Sequence, residues 1–378
     1  MLFSGLNRRR PPRGIRAALT VLCAAAALAA CKHNMTGTAD TRGLWIANGN
    51  NVVEFVPSQL MSGVQNVAPH RNISSAALGT PQGVTFDSAG NLWVMDPGAM
   101  VNGSATPALL EFSSGQLAAL GMTNGPAPAA IITSTSLAFP QQSVFDAAGN
   151  QWVSDHNNNT ILVFTAAQLA MTGTNNLMPA VVITSAAFNG PLGIVFDSGG
   201  NLWVANNGEV PGNNDATSPV GTSIVEFAKA HLPSVPATGM LTPDLVPDIT
   251  LTDNGQNSIQ GPWELAFDAM GNLWSSNANT PFTLVEFAKT SLAMTGTPAP
   301  AITISPAMDM GTSTLNSTNG LCFDNAGDLA ATNAVDAGSA PFYKAPLKSG
   351  AVTPQTFFSG MTTTLTAPAG CNFGPLVN

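Results

Sequence analysis

Trp263 and Glu264 are the adjacent residues of this 378-residue sequence best suited to chemistry. An aromatic face beside a carboxylate can hold a sugar, a cation or a peptide side chain. The alternative is packing, with Trp263 filling a channel and Glu264 solvated. Similar segments place Gln82, Gln141, Leu192, Asn319 and Ala369 opposite Trp263. Opposite Glu264 stand Gln142 and, in the other four segments, Gly. One carboxylate, one Asn and three Gln over the two positions are few for a hard divalent cation, which wants several oxygen ligands with charge among them. No metal ligand is assigned. His156, after Asp155, could act as a base, but no second His or matching acid accompanies it. No Ser/His/Asp set or phosphate-binding loop is present, so no catalytic residue is assigned.

Two further sets carry oxygen donors. Asn48, Asp96, Asp155, Asn206, Asn277 and Asn333 recur at equivalent positions. A repeated Asn or Asp at a strand end is expected to form a turn by bonding its own backbone, with a ring around a shared ion as the alternative. The stretch 206–222 is rich in Asn, Gly and Asp. It reads as a plain loop, or as a weak calcium site and the one cofactor considered. Asp155, His156 and Asn206 join the mouth residues as candidates on one loop face.

The elements that position these residues are repeats. Phe86-Asp-Ser-Ala-Gly-Asn-Leu-Trp-Val94 returns as Phe145–Val153, Phe196–Val204, Phe267–Ser275 and, worn, Phe323–Ala331. Asp-x-x-Gly-Asn supplies a tight turn between two apolar strands. A third strand follows each hairpin, as in Leu109-Leu110-Glu111-Phe112 and Ile224-Val225-Glu226-Phe227, then a fourth, as in Val181-Val182-Ile183-Thr184. Four short strands at intervals of about 50–70 residues make a propeller blade. Leu44-Trp45-Ile46-Ala47-Asn48 matches a second strand with no first strand before it, while Pro368–Phe373 resembles the first strand Pro191–Phe196. The fold class expected is therefore all-β: a six-bladed propeller of four-stranded blades over 43–378, closed by pairing its N- and C-terminal segments in one composite blade. Trp45, Trp93, Trp152, Trp203 and Trp274 are expected between blades, with Ala330 in the worn copy.

The repeat resembles the NHL-repeat propellers and, more distantly, the gluconolactonase and streptogramin-lyase-like propellers. Those relatives imply metal-dependent lactonase or lyase chemistry at the channel mouth. The resemblance rests on turn and core residues, which fix a scaffold and not an activity.

Residues 1–30 carry five Arg and an apolar run, Ala17–Ala30, too short to span a bilayer comfortably. This is the layout of a secretory signal. Leu28-Ala29-Ala30-Cys31 resembles the bacterial lipobox, which implies lipid on Cys31, a linker over 31–42 and membrane attachment through that anchor alone. Lys32 favours the outer over the inner membrane. Without five of its 12 basic residues the chain has 7 against 21 acidic, a net charge near −14. So acidic a surface repels phosphate backbones, which argues against nucleic acid. Cys322 and Cys371 could pair in an oxidising compartment or remain as two buried thiols. The function expected is a monomeric binding module for a protein, peptide or glycan on the loop face. The alternatives are a lactonase or lyase, or an envelope scaffold without a small-molecule site.

Overall fold

The computed structural model describes residues 42–375, other than 62, 120–122, 209–221, 237, 310 and 335–337. The lipobox, the signal-like segment and most of the 206–222 loop lie outside the described residues. The rest is an all-β propeller of six blade sheets, with two small two-stranded ribbons, Met100–Val101 with Ser104–Ala105 and Met308–Asp309 with Thr312–Ser313.

The first strands are Gly83–Phe86, Pro140–Phe145, Pro191–Phe196, Pro262–Phe267, Thr318–Phe323 and Pro368–Pro375. Each packs on the next, and the last packs on the first, so they close a ring around one axis. We number the blades 1 to 6 from the composite blade. In blade 1, Arg42–Asn48 pairs antiparallel with Pro368–Pro375, placing Leu44 opposite Phe373 and Trp45 opposite Asn372. The two ends of the described chain thus complete one sheet, in which Arg42–Asn48 lies between Asn51–Phe55 and Pro368–Pro375.

The recurring Asp of each hairpin holds its turn shut. Asp146 accepts from the backbone N–H of Ala148 and Asn150, from Asn150 Nδ2 and from Trp152 Nε1. Asn150 Oδ1 then accepts from Ala166 N, just past the third strand. One tetrapeptide turn therefore also fixes where the third strand ends. Asp87 and Asp197 repeat the whole set with Trp93 and Trp203.

Blade packs on blade through one aromatic unit. Trp45, Trp93, Trp152, Trp203 and Trp274 each meet, edge to face, the Phe that ends the next blade's first strand, at centroid distances of 5.5–6.4 Å. Such contacts add roughly 0.5–1.5 kcal/mol to the area each ring buries. The junction of blade 6 with blade 1 lacks this unit, because Ala330 stands where Trp would. There a disulfide joins Cys322 of blade 6 to Cys371 of blade 1, with Cα atoms 6.0 Å apart.

The expectation of four strands per blade needs one addition. The segment linking strands three and four of each blade reaches back and runs parallel to the outer strand of the blade before. Gly173–Asn176 pairs with Ala130–Thr133, Thr123–Asn124 with Arg71–Ile73, Gly63–Gln65 with Thr356–Phe358, and Gly350–Ala351 with Ile302–Ser305. Leu241 and Asp244 bridge to Val181 and Thr184, and Gly296 to Leu251. Every blade lends one such strap and receives one, always in the same rotational sense.

Candidate functional site

In five blades the mouth residues occupy a bulge at the start of the first strand, where the ladder with strand two shifts register, whereas Gly83–Phe86 of blade 2 pairs without a shift. The bulge turns two consecutive side chains away from the regular pleat. Of the six rim positions, Gln141, Leu192, Asn319 and Ala369 are buried. Gln82 and Trp263 are half-buried and reach solvent.

The next position forms the floor. Gln142 of blade 3 donates its Nε2 to Glu264 Oε2 of blade 5, joining two blades that are not neighbours. The four remaining blades have Gly here, and the geometry demands it. A Cβ at Gly83 or Gly370 would collide with the Gln142 side chain, and one at Gly193 would lie 2.6 Å from the Trp263 carbonyl oxygen. Two long side chains fill the axis and four absent ones make room. Glu264 is 5% exposed, not solvated. Burial pushes its carboxyl up from 4.5 to about 8, against hydrogen bonds from Gln142 and from the Leu265 backbone. At neutral pH the floor of the mouth is therefore uncharged.

Hydroxyls tie the rim together. Ser154 Oγ accepts from Gln142 N at 3.1 Å and donates to Leu192 O of the next blade at 2.5 Å. Ser276 does the same between Glu264 N and Asn319 O, and Thr332 between Gly320 N and Ala369 O. Gly370 N donates directly to Gln82 O at 2.7 Å. These bonds take up backbone groups that the bulges free from the ladder. Asn319 Oδ1 is buried without a hydrogen-bond partner.

The six repeated Asn and Asp residues are structural, but not in the manner their spacing suggests. Each reaches the loop entering the first strand, and does not chiefly cap its own turn. Asn206 accepts from Asn189 N, Asn277 from Gln260 N and Asn333 from Asn316 N, each 17 positions back. Asp96 accepts from Gly79 and Thr80, Asp155 from Ala138 and Phe139, and Asn48 from Thr366 and Ala367. All six carboxyl or amide groups are thereby spent on backbone, which leaves them poorly disposed to share an ion.

His156 lies beside this set, buried, with Phe139 edge-on at 6.2 Å. Burial lowers its pKa, partly offset by a bond to the Gly190 backbone. Its Nδ1 has no partner, and Asp155 is turned toward backbone, so no acid orients the imidazole. Nor does the mouth suit a hard divalent cation. Among the described residues no three His, Cys, Asp or Glu side chains gather, and Glu264 is already paired with an amide.

No family model matches the sequence, and no match to a curated protein was found. Solved structures share the fold. A nidogen–laminin complex aligns with 89% of this chain and 99% of its own, at 14% identity and a TM-score of 0.54. A putative 6-phosphogluconolactonase from Bacteroides uniformis covers 84% of this chain and 82% of its own, at 12% identity and TM-score 0.47. A streptogramin B lyase covers 71% and 69%, at 13% and 0.39. Similarity at this level speaks to the propeller alone.

Proposed function

We propose that the chain is an exported binding module that takes an uncharged, hydroxyl- or amide-bearing ligand, a glycan or a peptide, at the propeller mouth. One observation carries the reading: the half-buried Trp263 offers an aromatic face at the mouth, over a floor where the Glu264 carboxyl is buried and paired with Gln142. Trp263 is the contact face, Gln82, which also reaches solvent, a polar partner, and the Gln142–Glu264 pair a rigid base. The test is capture of neutral oligosaccharides and short uncharged peptides, arrayed on a surface, by the wild type and by Trp263→Ala. Losing a stacked ring is expected to weaken capture by roughly tenfold or more, at 1.4 kcal/mol per decade, with the melting temperature little changed. Equal capture by both proteins rejects the site. Anchoring through Cys31 belongs to the same reading, and Cys31→Ala is expected to release the protein from membranes.

A hydrolase or lyase is the second reading, favoured by the Glu264 carboxyl, a proton donor at neutral pH beneath an aromatic residue. The resemblance of the repeat to gluconolactonase and streptogramin-lyase-like propellers suggests lactones as the first substrates to try. Turnover of a lactone panel that vanishes in Glu264→Gln would support it. Turnover unchanged in that variant would remove Glu264 from any mechanism.

A further inference from the structure

Eleven large apolar side chains are exposed among the described residues, and nine of them are methionine. The other two are Leu241 and Val246. Met95 is the one buried methionine among the described residues. Chance placement of apolar residues would bring Leu, Ile and Phe to the surface as well. The pattern also follows the repeat. Met61, Met171 and Met294 each stand two residues before the strap glycine of blades 1, 3 and 5, and Met240 directly before the strap residue Leu241 of blade 4, all in the link between strands three and four. Met361 is 97% exposed at another rim turn.

Three uses of a thioether can be compared. A soft cation such as Cu(I) needs several sulfur ligands converging on one point. Equivalent positions on four different blades keep these sulfurs apart. A docking surface needs a contiguous apolar patch, and the same dispersion argues against one. The remaining use needs no convergence: each sulfur meets a diffusing reactant by itself. The competing groups are muted. Cys322 and Cys371 are joined in a disulfide, Tyr343 and the five blade Trp residues are buried, and of the indoles only the half-buried Trp263 reaches solvent. Exposed thioethers are thus the foremost soft nucleophiles on the described surface, and a disulfide fits an oxidising setting.

We propose that the exposed methionines are a sacrificial surface that consumes hypohalous acid while the propeller stays folded. A sulfur lone pair attacks the chlorine of HOCl and hydroxide leaves. Water then adds at sulfur, chloride departs, and protons go to solvent. The balance is R–S–CH3 + HOCl → R–S(O)–CH3 + H+ + Cl−: sulfur loses two electrons and chlorine gains them. Sulfoxide is polar and disrupts a core, but at the outer rim it points into water. Methionine sulfoxide reductases restore the thioether.

The experiment titrates the whole protein with HOCl and reads oxygen additions by intact mass and peptide mapping. Met61, Met171, Met240, Met294 and Met361 are expected to oxidise while Met95 does not and the melting temperature holds, and reductase treatment should return the original mass. Oxidation of Met95 in step with the rim, or a falling melting temperature at the first equivalents, overturns the proposal. A second arm replaces Met61, Met171, Met240 and Met294 by Leu and adds calmodulin as a bystander. Calmodulin is expected to gain more oxygen beside the variant than beside the wild type. Equal oxidation in both mixtures overturns the sink even if the variant folds normally.

Discussion

Replacing Glu264 by Gln should remove a specific part of the protein's pH dependence. The carboxyl titrates near 4.5 in the unfolded chain and about 8 in the folded one, chiefly because burial disfavours its charge. Below pH 4.5 it is protonated in both states, and its full contribution to stability is present. As pH rises from 4.5 to 8, the unfolded chain gives up the proton and the folded chain keeps it, so stability falls. Above about 8 both states are ionised and the loss is complete. At ~1.4 kcal/mol per pH unit over this window, the loss approaches roughly 5 kcal/mol. For a chain of this size that is on the order of 5–10 °C in melting temperature. Glu264→Gln keeps the shape, and Gln142 can still donate to the new amide oxygen. Wild type and variant should therefore melt close together at pH 5 and diverge by pH 9, with the variant higher. Glu54 and Glu226, both pushed up to about 7 mainly by burial, add slope of the same sign to both proteins. The readout is accordingly the difference between the two, by thermal scans in matched low-salt buffers. Parallel curves from pH 5 to 9 would refute the argument that an uncharged carboxyl plugs the axis.

Two further outcomes follow from the scaffold. The Cys322→Ser, Cys371→Ser double variant frees a crosslink spanning 49 positions, which chain entropy values at about 4 kcal/mol. Its melting temperature should fall and become insensitive to dithiothreitol, and a wild type equally insensitive would speak against the crosslink. Asp146→Ala removes the acceptor of four hydrogen bonds, one from a buried indole, and should cost on the order of 3 kcal/mol in urea unfolding.

What could be read from the residues follows a physical rule. The hairpin of each blade was legible because its turn chemistry is local: Asp, Gly and Asn close it within four residues. The composite blade was legible because Leu44–Asn48 matches a second strand and Pro368–Phe373 a first strand residue by residue, although no turn joins them. Ala340–Tyr343 was not legible because it departs from the apolar-apolar-Glu-Phe pattern of most other third strands, and the fourth strands Arg71–Ile73 and Thr356–Phe358 because they are only three residues long. The straps carry no side-chain period at all, since parallel pairing of two to four residues is a matter of backbone. At the mouth, Gln142 and Glu264 stood out as departures from Gly, but their meeting did not. They are 122 positions apart, and only closure of the ring brings them together. The Asn and Asp set was legible as structural, while its partners, mostly 16 or more positions distant, were not.

The straps also bear on how such a ring can be copied or cut. A sheet taken by itself arrives with its outer edge bare and with a tail meant for someone else's. The segment that can be duplicated or removed without leaving loose ends is thus offset from the sheet, beginning in one wheel spoke and ending in its neighbour. New termini introduced between two sheets would leave every buckle fastened. The same cut made between a third and a fourth strand would unfasten one, and the damage would show in the adjoining sheet and not in the one that was cut.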